Sequence, residues 1–389
     1  MKKLLIASAA LAMVAGTAQA QSSVQVYGIL DIGYSDTKSK ASAGGQSLTR
    51  QTTTTGNGLG GLATSRLGFQ GSEDLGGGLK ANFRLEYALG DVGAGGNTWG
   101  ARESWVSLQD AKLGELKLGR QMTGTHALMS GFFTGYANNT VGSIYSLGSG
   151  DGTTQAPNEN GMRPYQVFAN RVVGYTSPNM GGLVVSAQYG ENSLDTAVAN
   201  DTNTKLKHTD IAARYTAGKL ALGASYQQQK NTQNAYTAAQ IDTATNVATG
   251  TMLAAGAGTG PGNLSYETTM VGASYNFGPV QPFALYTERE NKYATTGTGA
   301  LNGNIKIKAT EAGVRAPVGK KTVLFASMYD GESKPNAAEK ADLKGYQVGA
   351  LYNLSKRTTA YAIMGEQKSK IAAGEVKTTG ASAGVRHSF

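Results

Sequence analysis

The sequence predicts an all-β fold: a 16-stranded antiparallel transmembrane β-barrel with short periplasmic turns and long extracellular loops. Three observations lead there. Apolar and polar residues alternate with period two along most of the chain, the pattern of strands with one face in oil and one in water. Residues 381–389 place Ala381, Ala383, Val385, His387 and Phe389 on one strand face and Ser382, Gly384, Arg386 and Ser388 on the other. A last strand closing on an aromatic suits a sheet that zips onto its own first strand and leaves no edge. The opposite end reads as a secretory leader, with Met1-Lys2-Lys3 basic, residues 4–15 apolar and Ala18-Gln19-Ala20 a small-x-small cleavage site. That apolar run falls short of the roughly 20 residues a spanning helix needs. The expected organisation is a signal peptide over 1–20, cut between Ala20 and Gln21, then one barrel domain over 21–389.

Each strand is legible from its own alternation. In Leu79-Lys80-Ala81-Asn82-Phe83-Arg84-Leu85-Glu86-Tyr87 every odd position is apolar and every even one polar, and 183–189, 220–227 and 346–353 repeat the pattern. Turn chemistry divides the chain into stretches near 24–35, 63–73, 79–90, 101–109, 115–121, 170–177, 183–191, 208–216, 219–229, 266–277, 281–291, 305–316, 321–331, 345–354, 358–367 and 378–389. Short connections, such as Asp74-Leu75-Gly76-Gly77-Gly78 and Gly278-Pro279-Val280, alternate with long ones rich in Gly, Thr, Ala and Asn at 36–62, 122–169, 230–265 and 368–377. Short turns on one side and long loops on the other describe an up-and-down bacterial barrel. Nineteen Tyr against two Trp, many of them closing an apolar face, fit the aromatic girdles at the two bilayer surfaces.

Composition narrows the function. With no cysteine, disulfide, zinc-thiolate and cysteine-nucleophile chemistries are excluded. Of the 35 Lys and Arg, loss of Lys2 and Lys3 leaves 33 against 26 Asp and Glu, a net +7. These bases are scattered singly and few adjoin aromatics, so no nucleic-acid partner is expected. His126, His208 and His387 have no metal-ligand spacing and no nucleophile motif beside them. An enzyme is not expected, and neither is a cofactor.

Several runs resemble the general diffusion porins of β-proteobacteria, in the Gram-negative porin family. They are Ser23-Val24-Gln25-Val26-Tyr27-Gly28-Ile29-Leu30-Asp31; residues 65–81, read Ser-Arg-Leu-Gly-Phe-Gln-Gly-Ser-Glu-Asp-Leu-Gly-Gly-Gly-Leu-Lys-Ala; Leu118-Gly119-Arg120-Gln121; Val173-Gly174-Tyr175-Thr176-Ser177-Pro178; and the Gly-Val-Arg-His-Ser-Phe end. The resemblance implies a homotrimer of 16-stranded barrels, each with loop 3 (about 122–169) folded inward to narrow a water-filled pore for ions and small hydrophilic solutes. It implies the bacterial outer membrane as location. Lipid, lipopolysaccharide and the barrel assembly machinery are then partners, the last reading Phe389 as an assembly signal. Many relatives carry an acid in a short aromatic motif of loop 3. Here Ser130-Gly131-Phe132-Phe133-Thr134 has none, and the loop's acids are Asp151 and Glu159, far along it. A non-channel barrel acting as an adhesin through its loops is the alternative, and bilayer conductance separates the two.

Strand parity nominates the pore charges. Leu67 and Phe69 face lipid, which turns Arg66 inward; Phe83, Leu85 and Tyr87 do the same for Lys80, Arg84 and Glu86. The reverse orientation would set an Arg against lipid at a cost of about 2–4 kcal/mol. Counting up from the periplasmic turns sets Arg66, Arg84 and Arg102 at one height, a basic ladder on three adjacent strands that would prefer small anions. Asp31, Glu86 and Glu311 share lumen parity and would partly neutralise it. Arg214, Arg315, Arg386 and Lys80 sit near turns or the chain end and belong to the periplasmic vestibule. Arg120 and Arg171 share parity with lipid-facing neighbours and are expected at the rim or a subunit contact.

Overall fold

The computed structural model describes residues 23–57, 61–90, 100–133, 140–144, 165–194, 204–236, 260–295, 302–335 and 340–389. The expected leader and the junction of Ala20 and Gln21 lie outside the described residues. The strands are β1 (Ser23–Ala43), β2 (Gln46–Asn57), β3 (Arg66–Gly76), β4 (Leu79–Ala88), β5 (Gly100–Asp110), β6 (Gly114–Met122), β7 (Phe168–Thr176), β8 (Leu183–Leu194), β9 (Thr204–Ala217), β10 (Leu220–Tyr236), β11 (Gly260–Tyr275), β12 (Gln281–Thr295), β13 (Asn302–Val318), β14 (Thr322–Pro335), β15 (Ala341–Asn353), β16 (Thr358–Ile371) and β17 (Gly374–Ser388).

From β3 onward every strand pairs antiparallel with the next. β17 returns to β1, with Ser388 opposite Ile29 and Gly374 opposite Ala43. The lower part of β1 pairs with β3 (Ser23 to Ile29) and its upper part with β2 (Ile32 to Ala43). β2 therefore stands above β3 on the same side of β1 and adds no member to the ring. The barrel has 16 strands, as the segmentation expects.

The long connections are where the expectation fails. Residues 36–62 are mostly a hairpin, β1 running on to Ala43 and reversing at Gly44 and Gly45, whose φ of +57° and +79° only glycine adopts freely. Of the run at 230–265, the described ends continue β10 to Tyr236 and begin β11 at Gly260, and 368–377 is strand on both sides of a tight turn between β16 and β17. These extensions rise beyond the lipid, need no apolar face and so carry no alternation signal. Wall height is uneven as a result. β3 to β7 are 9–11 residues long, whereas β8 to β17 run 12–17.

The seam is closed by a specific fit. Gly28 and Phe389 exchange both backbone hydrogen bonds at 3.1 Å. A Cβ on Gly28 would lie 2.3 Å from the Phe389 ring, so a side chain there would collide with the aromatic. Outside, Val26, Ile32, Phe69, Leu118, Val271 and Met364 are among the large apolar residues left exposed, as a lipid-facing surface requires.

Candidate functional site

Loop 3 leaves β6 through Thr123, whose hydroxyl accepts the His126 N–H at 3.2 Å and starts a one-turn helix, α1 (Gly124–Leu128). A π-helical turn, Met129–Phe133, follows. The loop is pinned into the lumen by buried polar groups on distant strands. Asp210 of β9, on the opposite strand face from lipid-exposed Ile211, accepts the Thr125 hydroxyl at 2.6 Å and the Thr125 N–H at 3.3 Å. Gln227 of β10 donates to the same carboxylate at 3.0 Å and exchanges hydrogen bonds with the Gln166 backbone. Across the barrel, Gln347 of β15 donates to the Thr140 hydroxyl at 3.0 Å. Val141 there lies against Gly365 and Gly380, where an added Cβ would come within 2.0 Å of its carbonyl oxygen and 2.7 Å of its side chain.

Between these pins, Leu128, Met129 and Ile144 of the loop pack in an apolar cluster with Met270, Leu285 and Ile307 of the wall. One side of the lumen is thus filled by loop 3. Asp151 and Glu159 lie outside the described residues. Sequence reasoning missed these anchors, although one signal was present: Gly365 and Gly380 interrupt alternating strands, which marks a close approach by other backbone.

The other side, from β1 to β6, carries the charges. Arg66, Arg84 and Arg102 do lie together there, but each is ion-paired. Glu86 sits between two of them, its carboxylate 2.6 Å from Arg102 Nε and 3.7 Å from Arg66 Nε, and it accepts the Tyr27 hydroxyl at 2.9 Å. Arg84 is 3.2 Å from Glu103 and donates to Gln70 at 2.8 Å. Its guanidinium lies between the rings of Tyr27 (5.5 Å) and Trp105 (5.7 Å). With Glu86 and Glu103 at only 5% and 6% side-chain exposure and Arg84 at 34%, the acids are sunk into the wall and Arg84 reaches furthest into water.

Arg102 arrives by an irregularity. Glu86 opposes Glu103 and Tyr87 opposes Ala101, leaving Arg102 as the extra residue of a β-bulge. Below the bulge Val106 and Leu108 face lipid, so simple alternation would have sent Arg102 outward; the bulge re-aims it. Glu103, Trp105 and Ser107 face inward by alternation with Val106 and Leu108. Taking Arg102 as inward without the bulge gave Glu103 the wrong parity, which is why it was not recognised as a partner. Lys117 of β6 also belongs here, 3.5 Å from Glu115 and 4.1 Å from the Trp105 ring centroid. Counting Arg66, Arg84, Arg102 and Lys117 against Glu86, Glu103 and Glu115, the wall carries four cations and three carboxylates, a net +1 among these residues.

The remaining candidates fall elsewhere. Asp31 is buried and structural, accepting the Tyr361 hydroxyl and the Ala63 N–H, each at 2.7 Å. It holds the chain entering β3 and does not neutralise the arginines. Glu311 is buried on β13 with Arg315 four residues along the same strand and on the same face, and Arg315 lies 5.4 Å from the Phe283 ring. Lys80 is exposed beside the β3–β4 turn. Arg120 donates to the Ala101 carbonyl at 3.0 Å and to Asn170, and lies 5.1 Å from the Phe168 ring. Arg171 is exposed at the upper rim with φ of +51°. His126 contacts the Tyr165 hydroxyl and His387 that of Thr358, each at 2.9 Å.

Comparison with known proteins fits this architecture. The profile of the Gram-negative porin family matches residues 7–372. Outer membrane porin protein 32 of Delftia acidovorans is 30% identical, with both chains covered in full. An outer membrane porin protein of Bordetella pertussis is 29% identical, again over the whole of both chains. Among solved structures, an anion-selective porin from Comamonas acidovorans superposes with a TM-score of 0.66 at 25% identity, covering 95% of this chain and 100% of that one.

Proposed function

This chain belongs to the Gram-negative porin family, channels of the bacterial outer membrane for passive diffusion of ions and small hydrophilic solutes, and we propose that its charged lumen wall gives it a modest anion preference. The observation carrying this reading is the excess of Arg66, Arg84, Arg102 and Lys117 over Glu86, Glu103 and Glu115 on one side of the bore. Paired charges cancel at a distance, so the filter is the residual positive field with Arg84 as its most water-accessible source. Such a field extends about 8 Å at physiological salt, enough to act on an ion passing beside the wall. The anion selectivity of the Comamonas neighbour supports the same sign.

Size exclusion falls to loop 3, held across the lumen by Asp210 and Gln347. The assembly is a homotrimer on this reading, for which the low wall of β3 to β7 is a suitable contact, and Arg120 and Arg171 lie along its upper rim. Lipids and lipopolysaccharide surround the rest. The leader is removed between Ala20 and Gln21, and Phe389 serves recognition by the barrel assembly machinery. The histidines are assigned no catalytic role. The deciding experiment is the reversal potential of the purified protein in a planar bilayer under a salt gradient. Anion preference supports the reading, and cation preference overturns it.

A further inference from the structure

Above the apolar band, the outward faces of β15, β16, β17 and β1 carry lysines in an unusual register. Lys344 lies directly opposite Lys368, Lys368 opposite Lys377, and Lys377 opposite Lys40. All four share parity with lipid-facing neighbours on their own strands: Tyr346, Met364, Val385 and Ile32. They form one horizontal row over four adjacent strands, spanning roughly 14 Å at the usual strand spacing. Like charges directly opposite one another weaken a sheet. Among the described residues, the carboxylates paired with these lysines stand off the run: Glu366 one row below (2.9 Å from Lys377), Glu375 one row above (2.6 Å from Lys368), and Asp330 beyond its end on β14 (3.0 Å from Lys344).

The contrast with the neighbouring sector is informative. On β12 and β13, Glu288 opposes Lys308 and Glu290 opposes Lys306, the alternation expected where charges only stabilise one another. The row on β15 to β1 instead sets four lysines side by side, three of them with a carboxylate only at the margin of the row, a concentration of positive charge that an external anion would relieve. Its place fixes the kind of ligand. It stands four residues, about 10 Å, above the row of Met364 and Val348, at the long-loop end and on the lipid side. A group bound there is anionic, lies at the head-group level of the outer leaflet, and has acyl chains running down past Met364, Val348 and Ile32.

We propose that Lys344, Lys368, Lys377 and Lys40 form a binding row for the phosphate groups of lipopolysaccharide, its lipid A chains lying on the apolar face below. This rests on the outer-membrane reading above and assigns that contact to named residues. The test uses full-length protein refolded free of lipopolysaccharide and titrated with lipid A in native mass spectrometry. Diphosphoryl lipid A is expected to bind and the dephosphorylated form to bind far more weakly. Lys368→Gln with Lys377→Gln should lower the affinity roughly 10- to 30-fold, since each lysine near an anionic surface contributes about a tenfold factor or less. Lys368→Arg with Lys377→Arg should bind as wild type, and so should Lys306→Gln with Lys308→Gln. Equal binding of the two lipid A forms, or undiminished binding by the Gln pair, overturns the proposal. So does a Gln pair that loses its oligomeric mass while each barrel still binds lipid A, because the row would then be a subunit contact. Conductance of the same wild-type preparation reports separately on the channel itself.

Discussion

Asp210 and Thr125, separated by 85 residues in sequence, meet inside the barrel through a 2.6 Å hydrogen bond between hydroxyl and carboxylate. Replacing Asp210 by Ala removes the acceptor shared by Thr125 and Gln227. The local cost is about 3 kcal/mol, typical for buried hydrogen bonds to a charged group. That cost falls on loop 3, since the strand ladder does not depend on this side chain. The expected result is a larger solute cut-off in liposome swelling and noisier single-channel current, with little change in the temperature at which the barrel unfolds.

Arg84 and Glu103 should act with opposite signs. Arg84→Ala leaves three cations against three carboxylates on the wall and should lower the anion-to-cation permeability ratio about two- to threefold, the size of one charge acting through water at several ångströms. Glu103→Gln frees a second positive charge and should raise the ratio by a similar factor. Reversal potentials in a salt gradient measure both, and the difference should shrink as salt concentration rises.

Glu86 is a different case, because it holds two arginines at once. Glu86→Gln raises the wall's net charge, but it also releases Arg66 and Arg102 from their fixed positions. A gain in anion preference with a broadened distribution of conductance levels is expected. A gain with unchanged, sharp levels would mean that contacts other than Glu86, such as the Phe168 ring 4.8 Å from the Arg102 guanidinium, suffice to hold these side chains.

Gly365→Ala tests the second attachment of loop 3. Its new methyl would lie 2.0 Å from the Val141 carbonyl oxygen, an overpacking that typically costs about 1–3 kcal/mol. The loop should yield before β16 does. Conductance should therefore change while the folded form on unheated gels is retained.

At the seam, Gly28→Val places a branched side chain where the Phe389 ring now lies. The expected outcome is loss of the folded, heat-modifiable band after expression. In detergent refolding of the purified chain, which does not use the assembly machinery, Phe389→Ala in the same background should recover part of it, since the nearest collision is with that ring and the Arg66 carbonyl remains 2.7 Å away.

Much of the ring was readable beforehand because lipid imposes a simple rule on every residue of a spanning strand. The alternation at Leu79 to Tyr87 places Arg84 and Glu86 inward, where the structure has them. Three things were not readable, each for a physical reason. β2 is polar on both faces, because it stands clear of the lipid. The bulge at Arg102 reverses parity within one residue, and nothing in Arg102-Glu103-Ser104 announces it. The partners of loop 3 lie as far as 207 residues along the chain, and a buried Gln347 looks from the sequence like any other lumen glutamine.

The attachments at Asp210 and Gln347 bear on more than permeation. A hollow cylinder with a thin wall is weakest against squashing into an ellipse under lateral pressure from its surroundings. Here a segment of the same chain crosses the interior and is fastened to β9 on one side and β15 on the other. Loop 3 thus doubles as a tie-rod, and severing either fastening would make the cross-section easier to flatten.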